Sequence, residues 1–263
     1  IMNKTDHTST IALLTGGTQG LGLAVADELV ASGCRQVVLA GRSREKGAAA
    51  QARLEAAGAE VYFHSCDISI AEECAAMLEA AHARFGLINA LLNSAALTTR
   101  GTILDSSAEL FEAHINTNLR APFFLMQGVA NKLIAENQAG SMVNILSVSA
   151  YVGQSFLAPY AASKGGLISL TKNAANMLRH HNIRVNGVAP GWMDTPAEDD
   201  IQRRFHGAGD DWREIAAQNL PLGQLIDPKQ LAPLISYLLS PSSGVITGSV
   251  IDYDQQIVGS LPE

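Results

Sequence analysis

A tyrosine and a lysine that could act together in acid–base catalysis stand four residues apart in this chain. Tyr160 and Lys164 fall within residues 159–179, where apolar residues recur at helical spacing, so both side chains lie on one face of a helix. A tyrosine titrates at about pH 10, and a neighbouring lysine ammonium stabilises the phenolate and brings its pKa towards neutral pH. Ser147, at the end of an apolar run, has a hydroxyl that could bind a substrate oxygen. Tyr160 and Lys164 taken alone are more often surface neighbours, but with Ser147 and the glycine turn described next they predict proton transfer with a bound substrate.

A glycine cluster predicts a phosphate-binding turn between the first apolar run, residues 11–14, and the helical segment 21–32. Glycine lets the backbone approach a pyrophosphate closely, and the first N–H groups of the helix attract the anion. An ordinary tight turn is the alternative, but the position between a strand and a helix favours a dinucleotide site. The residues expected to bind the dinucleotide here are Thr15, Gly16, Thr18, Gln19, Gly20, Leu21 and Gly22.

The residues after the second apolar run, 36–40, favour NADP(H) over NAD(H). Many dinucleotide-binding folds have an Asp or Glu here that binds the ribose 2′-hydroxyl. This chain has Arg42 and Ser43 instead, so no carboxylate repels a 2′-phosphate and a guanidinium could bind one. Gln19 lacks the basic side chain that often assists from the glycine turn, and Arg42 could instead stack on adenine or face solvent. NAD(H) therefore stays open as the alternative.

Short apolar runs alternate with longer alanine-rich segments of helical period along most of the chain. Runs that are apolar throughout, joined by helical crossovers, are typical of a parallel sheet covered on both faces. The pattern predicts a doubly wound Rossmann fold of the α/β class, with a seven-stranded, mostly parallel sheet in a single domain over residues 1–263. Strands are expected at residues 11–14, 36–40, 61–64, 88–92, 142–146, 183–188 and 248–253. Helices are expected at residues 21–32, 44–57, 70–85, 106–136 and 159–179, the fourth with a bend or boundary near Pro122.

Residues 195–221 are the one segment that shows no regular pattern. They are rich in charge and glycine and lie between two regular elements. Because a long loop inside a compact domain is usually functional, this segment is expected to be a loop or lid over the substrate.

Taken in order, the motifs resemble those of the short-chain dehydrogenase/reductase family, from Thr15 to about Asp252. The chain has the family's Thr-Gly-xxx-Gly-x-Gly turn and its Tyr-xxx-Lys pair, and part of its Asn-Asn-Ala-Gly motif at residues 93–96. The resemblance implies catalytic roles for Asn118, Ser147, Tyr160 and Lys164. Besides the glycine turn, it implies cofactor contacts at Arg42, Ser43, Asp67, Ile68, Asn93, Ala95, Tyr160, Lys164, Pro190, Gly191, Met193 and Thr195.

In chemical terms the resemblance implies hydride transfer between a nicotinamide ring and a carbonyl or alcohol carbon. Tyr160 would exchange the proton with the substrate oxygen, and Ser147 would orient that oxygen. Lys164 would hold the nicotinamide ribose and stabilise the phenolate. Asn118 would anchor a water that links Lys164 to solvent.

Two positions depart from the family's pattern. Ala96 stands where the family has a glycine near the nicotinamide ribose, and we expect a small local shift without loss of binding. Asp252-Tyr253-Asp254 replaces the usual Asp-Gly-Gly, so residues 255–263 are expected to be shaped differently and could border a subunit contact.

The substrate is the least determined part of the prediction. Ser149 and Gln154 suit a sugar, polyol or hydroxy acid, whereas Phe156 and Trp192 would equally suit an apolar ring; Leu97 is a further pocket candidate. Reduction of 3-oxoacyl groups on acyl carrier protein ranks second. That carrier is acidic and needs basic docking residues, and residues 135–140 lack such a patch. A cofactor-binding regulator without turnover ranks third, because all four catalytic positions are filled.

Composition weighs against other classes of protein. The chain has 18 basic and 25 acidic side chains, a net charge of −7, which disfavours a nucleic-acid partner. No apolar run is long enough to cross a membrane, and no signal-peptide run precedes the first strand, so a cytoplasmic enzyme is expected. The seven histidines form no ligand pattern, so no metal is expected. Of the three cysteines, Cys66 and Cys74 could form a bridge, but buried thiols are the favoured interpretation.

The two long helical segments are more apolar than one buried face requires. Relatives with these motifs commonly pair the corresponding helices between subunits, so we expect a homotetramer, with a dimer as the alternative. The apolar residues in excess are Phe123, Phe124, Met126, Leu167, Leu170 and Met177.

Overall fold

A seven-stranded parallel sheet forms the centre of the computed structural model, which describes residues 5–260. The strands are Ile11–Thr15 (β1), Gln36–Gly41 (β2), Glu60–Ser65 (β3), Ala90–Asn93 (β4), Gly140–Ile145 (β5), Ile183–Pro190 (β6) and Val250–Tyr253 (β7). Their order is β3-β2-β1-β4-β5-β6-β7, and each neighbouring pair is parallel. The predicted α/β fold is confirmed. Strands β2 and β3 lie on one side of β1, and β4 to β7 lie on the other. The strand order therefore reverses between β1 and β4, and this is the switch point at which such sheets bind ligands.

Nine α-helices are defined within residues 5–260, and two groups of them cover the sheet. They are Gly20–Ala31 (α1), Arg44–Ala56 (α2), Ala71–Phe85 (α3), Ala108–Ile115 (α4), Ala121–Ala135 (α5), Ala158–Leu178 (α6), Pro196–His206 (α7), Trp212–Gln218 (α8) and Pro228–Leu239 (α9). Helices α1, α2 and α9 pack on one face, and α3, α5 and α6 on the other. Along β1, Leu14 points to the first face and Leu13 to the second, and both are fully buried. Burial on both faces explains why the central strands are apolar throughout.

The long helical segment divides close to the expected point. Helix α4 continues through a π-helical turn, Asn116–Arg120, into α5, where Pro122 lies in the first turn. Proline is tolerated there because its missing N–H would have no partner within the helix. The π-helical turn places Asn118 in the buried interior, where its exposed fraction is 1%.

Residues 195–221 are not the irregular loop that the sequence suggested, because they contain α7 and α8. The Thr195 hydroxyl accepts the Glu198 N–H (3.1 Å) and so caps α7, which ends at Gly207 with φ +60°. The helical period is present on α7, where Ala197, Ile201 and Phe205 recur at four-residue spacing, but these few apolar residues stand among many charged ones. Helix α9 was also not predicted, although Asp227 and Pro228 form a regular N-terminal cap.

The cysteines confirm the favoured interpretation of buried thiols. Cys34, Cys66 and Cys74 are buried and unbridged. Burial raises the pKa of Cys34 and Cys74 to about 11 and that of Cys66 to about 12. The three thiols are therefore unreactive at neutral pH.

Candidate active site

A cleft of about 800 Å³ opens at the carboxyl ends of the strands, where β1 and β4 diverge. It runs from the turn before α1 past the ends of β2 and β3 to α6 and the start of α7. Most of the predicted cofactor residues line it: Gly16, Thr18, Gln19, Gly20, Leu21, Gly22, Arg42, Ser43, Asp67, Ile68, Ala95, Tyr160, Lys164, Met193 and Thr195.

The turn before α1 has the shape that a pyrophosphate requires. Gly16 has φ +66°, and a Cβ there would come within 2.9 Å of the Ala95 backbone. A Cβ on Gly22 would collide with the Gly16 carbonyl oxygen, so the helix can approach the strand this closely only with glycine. Gln19, which precedes α1, makes no capping hydrogen bond through its side chain, and no acidic residue lies in the first turn. The first N–H groups of α1 therefore suit an anion, and the residues present fit a dinucleotide.

The adenosine end of the cleft contains a basic residue that sequence reasoning missed. Lys46, in the first turn of α2, lines the cleft beside Arg42, and its ammonium donates to Gln19 Oε1 (2.6 Å). Gln19 itself is not basic, but Lys46 from the next helix supplies a cation beside it. Its position four residues after Arg42, at the start of a predicted helix, was the available signal.

Asp67 is ionised at this end of the cleft. Burial works to raise the pKa of its carboxyl, but hydrogen bonds from Ser69 and the nearby charge of Arg42 outweigh burial and lower the pKa below its usual value. The Ser69 N–H donates to Asp67 Oδ1 at 2.9 Å. The carboxylate is thus fixed as an acceptor at the cleft wall.

Four residues expected to contact the cofactor do not line this cleft. The Thr15 hydroxyl is buried and accepts the Ser94 N–H (3.1 Å), so it joins β1 to the end of β4. Asn93 is 3% exposed and donates to Asn144 Oδ1 (2.8 Å) inside the sheet. Pro190 ends β6, and Gly191 packs against Asp254. These positions shape the walls around the cleft, and Asp254 belongs to the triplet that departs from the family's pattern.

Tyr160 and Lys164 both line the cleft, one turn apart on α6. The Lys164 ammonium lies 5.8 Å from the centre of the Tyr160 ring and donates to the Ile145 carbonyl (2.6 Å). Burial raises the pKa of Tyr160 to about 12, an increase that Ser147 and Arg100 oppose and Glu198 reinforces. Burial also lowers the pKa of Lys164 to about 8.

The expected lowering of the tyrosine pKa by Lys164 is therefore not found in this structure. Loss of hydration penalises the phenolate and the ammonium alike, and it is the largest influence on the pKa of each. A phenol that stays protonated at neutral pH is suited to donate a proton.

Ser147 and Asn118 support this pair from neighbouring elements. Ser147 is 8% exposed and follows β5, close enough to Tyr160 to affect its pKa. The Asn118 side chain accepts the Leu97 N–H (2.8 Å) and donates to the Leu97 carbonyl (2.9 Å) and to Ser163 Oγ (3.0 Å). Both protons of its amide are thus used within the protein, so this side chain fixes the loop after β4 against α6.

The residues predicted to bind substrate lie in two groups. Ser149 Oγ donates to Gln154 Oε1 (2.7 Å) in the loop between β5 and α6. Trp192 stacks on Trp212 of α8 with ring centres 6.1 Å apart, and its indole N–H donates to Glu198 Oε1 (2.9 Å).

Phe156 is joined to the second group through residues that the sequence analysis did not single out. Its ring lies 5.4 Å from that of His206 and 5.4 Å from the guanidinium carbon of Arg100. Arg100 and Glu198 approach each other to 3.6 Å. Nothing in their local sequence indicates this pairing, since 98 residues separate them.

Within the described residues 5–260, no helix is long and apolar enough to span a membrane. No group of three or more potential metal ligands occurs in the same part of the chain.

Comparison with known proteins identifies relatives along nearly the whole chain. A family model described as enoyl-(acyl carrier protein) reductase matches residues 16–255. A 2-dehydro-3-deoxy-D-gluconate 5-dehydrogenase of Formosa agariphila is 31% identical over 95% of this chain and 93% of its own. A 3-oxoacyl-(acyl-carrier-protein) reductase of Thermotoga maritima is 31% identical over 94% of this chain and 97% of its own.

Solved structures extend the likeness to the fold. A variant of actinorhodin polyketide ketoreductase with NADPH is 27% identical, with a TM-score of 0.90 over 97% of this chain and 100% of its own. The L-sorbose reductase of Gluconobacter frateurii, with NADPH and L-sorbose, shares the fold with a TM-score of 0.90 at 23% identity, over 98% of this chain and 100% of its own. With a family match over 16–255 and a cleft built from the expected residues, the chain belongs to the short-chain dehydrogenase/reductase family of nicotinamide-dependent oxidoreductases.

Proposed function

We propose that this protein transfers a hydride between NADP(H) and a carbonyl or alcohol carbon of a small polar substrate, of sugar, polyol or hydroxy acid type. The observation that carries the proposal is the position of Tyr160 and Lys164 in the same cleft as the glycine turn. The polar Ser149–Gln154 pair and the Glu198 carboxylate near Trp192 support a hydroxylated substrate. The likeness to a dehydrogenase named for a sugar acid agrees with it.

In the proposed mechanism the nicotinamide supplies or accepts the hydride, and the protein manages the proton. Tyr160, protonated at neutral pH, donates its phenolic proton to the carbonyl oxygen as that oxygen becomes an alcohol. Ser147 orients the same oxygen. Lys164 faces the ribose side of the cleft and stabilises the phenolate that forms. Asn118 holds the neighbouring loop, and we retain its role in a water-mediated relay to Lys164 as part of the proposal.

The preference for NADP(H) rests on two basic side chains at the ribose end of the cleft, Arg42 and Lys46. A 2′-phosphate there would meet a guanidinium and an ammonium, whereas a 2′-hydroxyl gains little from either. A charge-assisted hydrogen bond contributes about 1.5–3 kcal/mol. We therefore expect Arg42→Ala and Lys46→Ala each to weaken NADPH binding roughly 10–100-fold, with NADH affinity changed much less.

Calorimetric titration of each variant with NADPH and NADH measures this. Arg44→Ala, an exposed arginine at the start of α2 that does not line the cleft, is the matched control. Equal affinity of the wild type for the two cofactors would contradict the preference.

Reduction of 3-oxoacyl thioesters is the second candidate, favoured by the likeness to the Thermotoga enzyme. A spectrophotometric screen that follows the absorbance of the reduced nicotinamide distinguishes the two candidate functions. Sugars, polyols, hydroxy acids and an acetoacetyl thioester are each tested with both cofactors. Turnover of the thioester alone would replace the proposed substrate class. Binding of NADPH without turnover of any of these compounds would instead favour the cofactor-binding regulator.

We further propose that α7 and α8, within residues 195–221, cover the substrate. The place of action we propose is the cytoplasm, where three unbridged thiols persist. The proposed assembly is a homotetramer.

A further inference from the structure

Arg100 is a nearly buried guanidinium held in one position by three groups. Its side chain is 14% exposed, on the loop between β4 and α4. Nη1 donates to the Thr98 carbonyl (3.1 Å), Nε lies 3.1 Å from His206 Nε2, and the guanidinium carbon lies over the Phe156 ring. A long side chain fixed in this way has already lost the conformational freedom that it would otherwise lose on binding a ligand.

Glu198 forms an ion pair with this cation but accepts its closer hydrogen bonds from other groups. Its Oε1 accepts hydrogen bonds from the Trp192 indole (2.9 Å) and the Gln202 amide (2.7 Å), whereas Arg100 Nη2 approaches the same oxygen only to 3.6 Å. Charge-assisted hydrogen bonds between guanidinium and carboxylate are about 2.7–2.9 Å long. The hydrogen bonds described for Arg100 within residues 5–260 use Nε and Nη1, so Nη2 is available for a closer anion.

This cation is linked to two of the residues predicted to contact substrate, although it does not itself line the cleft. Phe156 and Trp192, both predicted to contact substrate, border the Arg100–Glu198 pair. Arg100 is also near enough to Tyr160 to oppose the rise in the tyrosine pKa. The side of Tyr160 on which Arg100 lies is therefore our candidate position for the far end of the substrate.

We propose that Arg100 is a specificity residue that binds a carboxylate of the substrate, so that the enzyme prefers oxo acids and hydroxy acids over neutral sugars and polyols. The inference rests on the proposed function. A planar guanidinium matches the two oxygens of a carboxylate, whereas a neutral hydroxyl offers it a single acceptor without charge. When the substrate carboxylate binds Arg100 Nη2, Glu198 keeps its hydrogen bonds from Trp192 and Gln202. Its carboxylate also offers an acceptor to hydroxyl groups of the same substrate.

Matched substrates test the inference. Aldonates and alditols of four to six carbons, such as D-gluconate and D-glucitol, differ at one end by a carboxylate against a CH₂OH group. Each is oxidised with NADP⁺, a reaction that yields the ketone, NADPH and a proton. We expect the wild type to favour the aldonates in kcat/KM by roughly 10–100-fold, the factor that one charge-assisted hydrogen bond provides. Arg100→Gln should remove this preference by lowering kcat/KM for the aldonates roughly 10–100-fold more than for the alditols.

Three controls keep the test decisive. Arg204→Gln, an exposed arginine on α7, should change neither series. Arg100→Lys, which keeps the charge and loses the planar fork, should retain part of the preference. Calorimetry then measures binding of D-gluconate and D-glucitol to the enzyme saturated with NADPH. No turnover occurs in this complex, because the reduced cofactor cannot oxidise an alcohol.

The outcomes separate the inference from the function on which it rests. Equal use of aldonates and alditols, or an equal loss of both in Arg100→Gln, would overturn the role of Arg100 and leave the oxidoreductase intact. Failure to oxidise either series, with turnover of apolar ketones instead, would contradict the proposed substrate class. Tighter binding of D-gluconate than of D-glucitol, abolished in Arg100→Gln, would support the inference in either assay.

Discussion

At the scale of single residues, Tyr160 carries the proposed proton transfer. We expect Tyr160→Phe to lower kcat/KM by about 10²–10⁴-fold, because it removes the phenolic proton and keeps the ring. NADPH affinity, measured by the fluorescence of the bound cofactor, should stay within about twofold. Tyr237→Phe is the matched control, because Tyr237 is a partly exposed tyrosine on α9 that is distant in sequence from Tyr160. Near-normal turnover in Tyr160→Phe would show that another group donates the proton.

Lys164 makes stability depend on pH because burial lowers its pKa from 10.5 to about 8. Below pH 8 the ammonium is buried and destabilises the fold. Between pH 8 and 10.5 the unfolded chain binds the proton and the folded protein does not, so stability rises with pH. We expect Lys164→Met to be more stable than the wild type at pH 7, and this advantage to shrink by at most about 1.4 kcal/mol per pH unit above pH 8.

Urea unfolding of both proteins at pH 7 to 10 measures this difference. Lys172→Met, an exposed lysine on the same helix, controls for the loss of a lysine in general. A constant difference between wild type and Lys164→Met across this range would contradict the lowered pKa.

At the scale of elements, one carboxylate joins the two helices that we propose as the lid. Asp199 on α7 accepts hydrogen bonds from Arg203 (2.9 Å), Trp212 (2.8 Å) and Arg213 (2.8 Å). The bonds from Trp212 and Arg203 lower the pKa of Asp199 to about 2, so its carboxylate is ionised at neutral pH. This arrangement ties α8 to α7, and through Trp212 to Trp192.

We expect Asp199→Ala to loosen the lid and to raise KM for substrate more than it lowers kcat, because the helices no longer hold their mutual position. Trypsin should cut at Arg203 and Arg204 several times faster than in the wild type. Asp200→Ala, its exposed neighbour on the same helix, is the control. Unchanged cleavage and unchanged KM would show that Asp199 does not hold these helices together.

At the scale of the whole molecule, part of the apolar excess in α4, α5 and α6 faces solvent. Phe123 and Phe124 are 43% and 41% exposed and pack edge to face, and Met177 is 64% exposed. Met126 and Leu167, which were also assigned to this excess, belong to the core at 3% and 1% exposure. We propose that a symmetric assembly buries the three side chains that remain exposed.

We expect light scattering at micromolar concentration to give about four times the chain mass of 27.7 kDa, with a dimer as the alternative. Phe124→Glu should reduce this mass, because a buried charge opposes association. Phe205→Glu on α7, at similar exposure outside this surface, should not. A wild-type mass of one chain would refute the prediction.

The sequence by itself determined the features that depend on neighbours along the chain. Helical spacing brings Tyr160 and Lys164 to one face, and the glycine turn at residues 15–22 needs only a strand before it and a helix after it. Apolar runs with helical crossovers were enough for the parallel sheet, because burial on both faces leaves that pattern in the residues. In residues 195–221 few apolar residues stand among many charged ones, so the pattern is faint there and the two helices were missed.

The tertiary structure alone decided the features that depend on burial and on residues distant in sequence. Lys46 supplies a cation beside Gln19 only because α2 packs next to the turn before α1. Arg100 and Glu198 meet only because α7 folds back over the loop after β4. The pKa of Tyr160 rises and that of Lys164 falls because burial reduces the hydration of both side chains. Helical spacing predicts that the two charges attract each other, but it does not reveal how much hydration each side chain loses in the fold.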